Sequence, residues 1–314
     1  MNMELSILEE EIPPLLLNLV GFILNAGAVR YLWKKQKTSR LSNHLLLSLA
    51  FSDALFTFIY FIANICYIID DYEPESIDSI SLDISSHQLI KFSIFASIFH
   101  VLAISFNRLL AVLSPFNYKR FTETNLTKYY LLCIWTLTTV VQGSMAIYEY
   151  TDGVEKSFER REFVDKTLSC VIFISGCILC IVYTIILYRL RTYRIPVPID
   201  SCSSSRKKNR GETSASIIAM TVSIGFIIFT FPVAIVLFNP EVFINIRGAA
   251  VTVVCLLICN SIFNPIIYFW RRRLKKAMRR RFFKQDTSSQ SSKHKTDSGV
   301  CLAKIPVDTS IDSV

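Results

Sequence analysis

The sequence predicts an all-α membrane protein, a seven-transmembrane helix bundle with a short amphipathic eighth helix. Three observations predict this fold class. Hydrophobic residues make up 52% of the 314-residue chain, and they gather in seven long runs. Each run has the length of about 20 residues that an α-helix needs to cross a bilayer core of about 30 Å. Basic and acidic residues then fall on alternate connections between the runs, as loops on opposite sides of a membrane would.

The runs lie at roughly residues 15–33, 43–69, 88–113, 128–148, 167–190, 214–238 and 246–269. The fifth and sixth are separate helices because the basic segment 206–210 interrupts them. The strands of a membrane β-barrel would be about half as long and would alternate polar with apolar residues. We expect residues 1–12 as a short extracellular N-terminus, 13–269 as the bundle, 270–284 as an interfacial helix and 285–314 as a disordered cytoplasmic tail.

The charges of the loops predict the orientation. Basic residues follow the first run at 34–40, lie between the third and fourth at 119–120, and fill the connection at 189–210. The connection after the second run holds six acids between Asp70 and Asp83 and no Lys or Arg. By the positive-inside rule the N-terminus is extracellular and the C-terminus cytoplasmic. The net charge of +9 therefore reflects topology, and no nucleic-acid partner is expected.

The first two runs each carry a polar residue near the middle, Asn25 and Asp53. A carboxyl group that faces lipid costs about 2.5–3.5 kcal/mol on insertion scales, so we expect Asp53 to face the bundle interior. Two roles stay open for it from the sequence. It forms a packing hydrogen bond with Asn25, or it serves as an ion or proton site.

The later runs contain further polar residues. Arg108 ends the third run, where an arginine can reach interfacial water, and Trp135 of the fourth is expected to pack. Pro265 removes one backbone donor from the seventh run and clashes with the preceding turn, so this helix should bend or loosen there. A bent, polar helix end is suited to movement. The other polar positions of interest are Ser93, Ser97, His100, Asn107, Asn260, Ser261 and Asn264.

Taken in order, these residues resemble the motifs of rhodopsin-like G protein-coupled receptors over about residues 20–283. The matching positions are Asn25, Asp53 with the preceding Ser-Leu-Ala-x-Ser, Arg108, Pro115, Tyr118, Trp135, Phe226, Pro232, Asn264, Pro265 and Tyr268. The resemblance implies a plasma-membrane receptor that binds an extracellular ligand. It also implies that the receptor activates heterotrimeric G proteins when its sixth helix moves outward. It implies no enzymatic activity, and it does not place the chain in a subfamily.

The resemblance further implies an allosteric sodium ion in a central pocket. The positions that match the family's pocket are all polar: Asp53, Ser97, Asn260, Ser261 and Asn264. Oxygen ligands around one carboxylate suit a hard monovalent cation, and the ion would offset the cost of burying the charge. No organic cofactor and no other metal is expected.

An activation switch around Arg108 is also implied. The family usually has an acid before this arginine, whereas this chain has the neutral Asn107, which leaves Glu212 as the candidate partner in the resting state. This departure predicts raised basal signalling. The positions that match the switch are Asn107, Arg108, Tyr183, Glu212, Phe226, Pro232, Pro265 and Tyr268. Those expected to contact the G protein are Arg108, Pro115 and Phe116.

Three departures affect the ligand side of the bundle. Thr230 stands where the family commonly has tryptophan, and Ser175 stands where the fifth helix commonly has proline. The usual cysteine at the outer start of the third helix is missing, with Asp83 near that position, and so is its partner in the second extracellular loop. We therefore expect a different coupling between ligand and switch, and a looser lid over the ligand site.

The ligand class stays open, with two classes not expected. The third run contains no acid to pair with a protonated amine, and Ile258 occupies the position of the retinal-binding lysine. The candidate ligand contacts are His87, Lys91 and Ile94. His87 and Lys91 share one face of the third helix, where they either meet an anionic group of the ligand or reach interfacial water.

Residues 271–284 contain nine basic residues and no acid, with apolar residues at helical spacing. This pattern predicts a helix that lies on anionic inner-leaflet lipids. The serines and threonines of 287–298 resemble the tail that receptor kinases modify and arrestin binds, since each phosphate adds about −1.5 to −2 charges.

Other functions remain open. Asp53 and its polar neighbours could line the path of an ion channel or transporter, although the internal repeats and paired broken helices of transporters are missing. A decoy receptor that binds without signalling is compatible with Asn107 and Thr230. An intramembrane enzyme is disfavoured because no nucleophile–base pair or metal cluster lies at one membrane depth.

Overall fold

The computed structural model describes residues 2–34, 41–70, 77–114, 118, 126–151, 154–192, 203–239 and 251–270. Each of its seven helices contains a segment long and apolar enough to cross a membrane. The helices are α1 (Asn2–Lys34), α2 (Leu41–Asp70), α3 (Ile77–Leu113), α4 (Leu126–Tyr150), α5 (Val154–Thr192), α6 (Ser203–Phe238) and α7 (Val251–Trp270).

The chain divides into two compact units, Met1–Tyr268 and Phe269–Val314. The first unit holds the bundle, whose predicted end was residue 269, and every contact discussed below lies within it. Of the second unit only Phe269 and Trp270 are among the described residues. The predicted interfacial helix and the predicted tail therefore lie outside the part of the chain that the structure describes.

Four helices extend well beyond the predicted spans, among them α3, which starts at Ile77 rather than near residue 88. Helix α1 starts at Asn2 rather than near Pro13, because the Leu- and Glu-rich residues before the prolines are good helix formers. Helix α6 includes the basic segment 206–210, which the sequence analysis assigned to a loop. Helix α5 starts at Val154, and its 39 residues span about 58 Å, far more than the bilayer core. Charged residues assigned to loops thus lie on helices.

Helix α3 is the centre of the bundle. It packs against α2, α4, α5 and α6, and its membrane-spanning segment is the most buried of the seven. By contrast α4 is the least buried and presents most of its surface outward. A central α3 places its polar residues where side chains from four other helices converge.

Glycines allow close approach at two contacts of α6. A Cβ atom on Gly176 of α5 would lie 2.6 Å from the ring of Phe231, and one on Gly225 of α6 would overlap the ring of Phe263 in α7. The Phe263 ring is also held by an edge contact with Phe229, at 5.6 Å between centroids. These rings fix the depth at which α6 packs on its neighbours.

Replacing Gly225 by alanine is expected to destabilise the bundle by about 1–3 kcal/mol, because the added methyl group forces the Phe263 ring out of its site. The measurement is the unfolding temperature of the purified protein in detergent. Gly143→Ala is the matched control, since nothing lies within 4 Å of a Cβ atom there. Equal unfolding temperatures for the two variants would contradict the packing described.

Candidate functional site

Asp53 lies in the middle of α2 and is almost completely buried, with 1% of its surface exposed. Its carboxylate accepts hydrogen bonds from two side chains of α7: Asn264 Nδ2 donates at 2.9 Å and Ser261 Oγ at 3.3 Å. The expectation that Asp53 faces the bundle interior is confirmed. The polar residues of the last helix are therefore the direct partners of the buried acid.

The alternative role for Asp53, a packing bond with Asn25, is wrong. Asn25 Nδ2 instead donates to the carbonyl oxygens of Gly21, in its own helix, and of Ser261, in each case at 3.0 Å. Because Ser261 uses its carbonyl for Asn25 and its hydroxyl for Asp53, it joins α1, α2 and α7 at one level. A bend near Pro265 would change both contacts together.

The remaining residues of the predicted sodium pocket are connected to this carboxylate through Ser261, which donates to it. Ser97 and Asn260 are buried, and together with Ser261 they line a cavity of ≈ 10 Å³, large enough for about one water molecule or small ion. The hydroxyls of Ser97 and Ser261, the amides of Asn260 and Asn264 and the Asp53 carboxylate carry the oxygen atoms that a hard monovalent cation prefers. Among the described residues no cluster of His, Cys, Asp and Glu would hold a transition metal. The residues present fit sodium.

The same cavity reaches the predicted ligand side of the bundle. Ile94, a candidate ligand contact, is buried and lines it, as do Ile90 and Ser93 of α3. Thr230 also lines it, and its hydroxyl donates to the carbonyl of Phe226 at 2.6 Å rather than across the cavity. Because Thr230 and Ile94 line the same cavity as Ser97 and Asn260, the ligand side and the ion side share one wall.

Three hydroxyl groups join α3, α5 and α6 on the predicted cytoplasmic side of the bundle, and we call them the hydroxyl triad. Ser105 Oγ lies 3.0 Å from Tyr183 Oη and 3.2 Å from Ser223 Oγ, and Ser223 Oγ donates to Tyr183 Oη at 3.1 Å. Ser105 also donates to the carbonyl of Val101. The predicted switch residue Tyr183 is therefore held inside the bundle by one serine on each neighbouring helix.

Arg108 and Asn107 are both buried at the end of α3, with 6% and 2% of their surfaces exposed. Tyr268 of α7 is buried as well, and its hydroxyl has no hydrogen-bond partner among the described residues. A buried hydroxyl without a partner costs free energy in this conformation, so a conformation that provides one is favoured by that amount. The missing hydrogen bond therefore favours a conformation in which the Tyr268 hydroxyl has a partner.

The other predicted switch positions fall in α6 and α7. Phe226 is buried in α6. Pro232 lies within the length of α6, well before its end, and is exposed. Pro265 is buried in α7. Glu212 lies on α6, but its side chain is outside the described residues. Pro115 and Phe116, the predicted G protein contacts besides Arg108, also lie outside the described part of the chain.

Lys91 does not reach interfacial water, and that interpretation is wrong. Only 4% of its side chain is exposed, and Nζ pairs with Glu149 Oε2 of α4 at 2.8 Å and with Asp165 Oδ1 of α5 at 3.1 Å. Sequence reasoning missed both acids because it placed them in the loop between the fourth and fifth helices. His87, one turn earlier on α3, is half-buried.

A second network that sequence reasoning missed joins α2, α3 and α4. His100 Nδ1 lies 2.7 Å from the carbonyl oxygen of Ala96, which only accepts, so Nδ1 carries the proton. Nε2 then accepts from Ser48 Oγ at 2.9 Å, and Ser48 in turn accepts from Trp135 Nε1 at 3.0 Å. Trp135 packs as expected, edge-on against the His100 ring, and it also anchors α4 through this hydrogen bond.

The chain was compared with models of known protein families. Residues 24–268 match the model of the family described as 7 transmembrane receptor (rhodopsin family). The matched segment runs from within the first membrane-spanning segment to Tyr268 in the seventh, and it contains every residue of the contacts described above except Gly21.

Proposed function

The chain belongs to the rhodopsin family of seven-transmembrane receptors, and on this premise we propose that it binds an extracellular ligand and activates heterotrimeric G proteins through outward movement of α6. The observation that carries the proposal is the placement of the polar groups. A buried carboxylate is held by α7 in the centre, and a buried arginine lies at the end of α3.

Outward movement of α6 is the step that the geometry supports. Arg108 is buried in this conformation, so a protein partner can contact it only after neighbouring helices separate. Two of the three contacts in the hydroxyl triad are made by Ser223 of α6, one of them the hydrogen bond that it donates to Tyr183, and an outward swing breaks both. Pro232 removes a backbone donor inside α6 and provides the place where the helix can bend.

A ligand favours the active conformation only by the difference between its affinities for the two conformations. Each tenfold shift in the population requires about 1.4 kcal/mol of that difference. The cavity wall shared by Ile94, Ser97 and Thr230 is the route by which a ligand on α3 would affect the polar centre. Binding that alters this wall shifts α6 and α7 relative to Asp53.

We assign the sodium site to the oxygen atoms of Asp53, Ser97, Asn260, Ser261 and Asn264. When bound, sodium would supply the positive charge that stabilises the buried carboxylate. The contacts from Ser261 and Asn264 hold α7 close to α2. Thr230 of α6 lines the same cavity, so we expect outward movement of α6 to change the shape of the sodium site.

The remaining parts of the proposal follow the charges of the sequence. The receptor lies in the plasma membrane with its N-terminus extracellular and its C-terminus cytoplasmic. Residues 270–284 bind anionic inner-leaflet lipids, and residues 287–298 accept phosphate from a receptor kinase and then bind arrestin. The ligand is neither a biogenic amine nor retinal, since α3 has no acid facing the cavity and Ile258 replaces the lysine.

The proposed function is tested with G protein dissociation sensors in cells that express the full chain, first without ligand and then with panels of ligand classes. Arg108→Ala is expected to lower the signal of every responding sensor at least about tenfold, which corresponds to about 1.4 kcal/mol. Arg30→Ala, an exposed arginine on α1, is the matched control and should leave the signal unchanged. Ion flux through liposomes containing the purified protein, with no sensor response, would instead identify a channel or transporter.

A further inference from the structure

Four charged side chains form a connected network at the predicted extracellular ends of α3, α4 and α5. We call this set, Lys91, Glu149, Arg161 and Asp165, the ionic anchor. Lys91 pairs with both acids, and Arg161 Nε pairs with Glu149 Oε1 at 3.2 Å. The two positive and two negative charges cancel, and every member contacts a residue on another helix.

The centre of the ionic anchor is shielded from solvent. The Glu149 side chain is completely buried, and its two carboxylate oxygens are shared among three donors: Lys91, Arg161 and Gln88 Nε2 at 3.2 Å. Gln142 of α4 donates to Gln88 Oε1 at 2.6 Å and so holds that amide in place. A buried carboxylate with this many donors belongs to a specific structure rather than to a solvated surface.

The connection between α4 and α5 adds to the same contact region. Only residues 151–153 separate the two helices. Arg160 Nη1 donates to the carbonyl of Tyr148 at 3.0 Å, and its guanidinium lies 5.3 Å from the centre of the Tyr148 ring. Arg161 Nη2 donates to the hydroxyl of Tyr150 at 3.3 Å. The ends of α4 and α5 are thus fixed to each other, and Lys91 connects α3 to that pair.

We propose that the ionic anchor holds the outer end of α3 against α4 and α5, and that Lys91, Glu149 and Asp165 position the α3 wall that carries Ile90 and Ile94. The sequence has no cysteine between Cys66 and Cys133, so no disulfide can start from the outer end of α3. The seven cysteines among the described residues are all free. Ionic contacts occupy the place where a covalent link would otherwise restrain this helix.

The proposal changes the role of Lys91. Its ammonium group is neutralised by two carboxylates, and an anionic ligand would have to displace both to reach it. The wall that α3 presents to the cavity is formed instead by Ile90, Ser93 and Ile94, none of which is charged. Lys91 is therefore a positioning residue, and the pocket surface next to it is neutral.

The test compares unfolding temperatures of the purified full chain in detergent, read from loss of the monodisperse peak after heating. Lys91→Met leaves the buried Glu149 and the partly buried Asp165 with fewer cationic partners, and we expect the unfolding temperature to fall by about 6–10 °C. The triple variant Lys91→Met, Glu149→Gln, Asp165→Asn removes both carboxylate charges as well and leaves only Arg161, whose side chain is 18% exposed. It is expected to recover at least half of that loss, because a buried pair costs most when only one partner is removed.

The matched control is the exposed pair Lys166–Glu162, which lies on the same helix as Asp165 with side chains 46% and 51% exposed. Lys166→Met should leave the unfolding temperature unchanged. A thiol reductant should also leave the wild-type value unchanged. A triple variant less stable than Lys91→Met, or a clear loss on reduction, would overturn the ionic anchor. So would a Lys91→Met protein of full stability, which would return Lys91 to the candidate ligand contacts. None of these measurements depends on G protein activation.

Discussion

Replacing Asp53 by asparagine is expected to abolish the effect of sodium on the unfolding temperature of the receptor. Asparagine keeps the shape of the side chain and an oxygen that can accept from Ser261 or Asn264, so the bundle still folds. It removes the negative charge, without which the neutral oxygens of Ser97 and Asn260 cannot offset the loss of the ion's hydration. The sodium site and the fold are thereby separated in one variant.

The expected size follows from mass action. At a sodium concentration about ten times the dissociation constant, the wild-type fold gains about 1.4 kcal/mol, which corresponds to about 3–5 °C. The measurement compares sodium chloride with choline chloride at equal ionic strength. Glu162→Gln, which removes an acid exposed on α5, should keep the full difference between the two salts. A sodium response that survives in Asp53→Asn would refute the assignment of the site.

The position of Asp53 shows what a single sequence can predict. A carboxyl group inside an apolar run must find polar partners, and the last helix contains the only dense group of asparagines and serines in a membrane-length segment. The bonds from Ser261 and Asn264 therefore agree with the physical expectation. The bond from Asn25 to the Ser261 carbonyl could not be foreseen. Every residue has a backbone carbonyl, so the sequence does not indicate which one a side chain will bind.

The ionic anchor could not be predicted because it depends on where helices end. The sequence analysis placed Glu149 and Asp165 in a loop, where acids are normally solvated. The structure extends α4 to Tyr150 and starts α5 at Val154, which brings both acids onto helix faces that meet α3. Helix ends are the least certain part of a hydropathy reading, since charged residues such as Glu and Lys are good helix formers.

The hydroxyl triad was hidden for a different reason. Serine and threonine in a buried helix commonly donate to the carbonyl four residues earlier, as Thr184 does to Cys180 and Thr221 to Ile217. A sequence gives no means of separating these local bonds from the bonds that Ser105 and Ser223 make between helices. Only Tyr183 was singled out, and that came from the family resemblance.

Replacing Ser223 by alanine is expected to raise basal G protein activation about five- to tenfold. The change removes the hydrogen bond that Ser223 donates to Tyr183 and the contact between Ser223 and Ser105, while the contact between Ser105 and Tyr183 remains. One such hydrogen bond is worth about 0.5–1.5 kcal/mol, and a shift of the α6 equilibrium by about 1–1.4 kcal/mol, within that range, corresponds to the expected five- to tenfold rise. The measurement is ligand-independent nucleotide exchange at equal surface expression.

The direction of this effect distinguishes a restraint on α6 from general loosening of the bundle. Thr221→Ala removes a hydroxyl two residues away that bonds only within α6, so it should leave basal exchange unchanged. Asn107→Asp, which restores an acid beside Arg108, should lower basal exchange and should partly reverse the effect of Ser223→Ala when the two are combined. If Thr221→Ala and Ser223→Ala raised basal exchange equally, the triad would not be the restraint. In that case the resting position of α6 would depend on its ring contacts with α5 and α7, where Gly176 meets Phe231 and Gly225 meets Phe263.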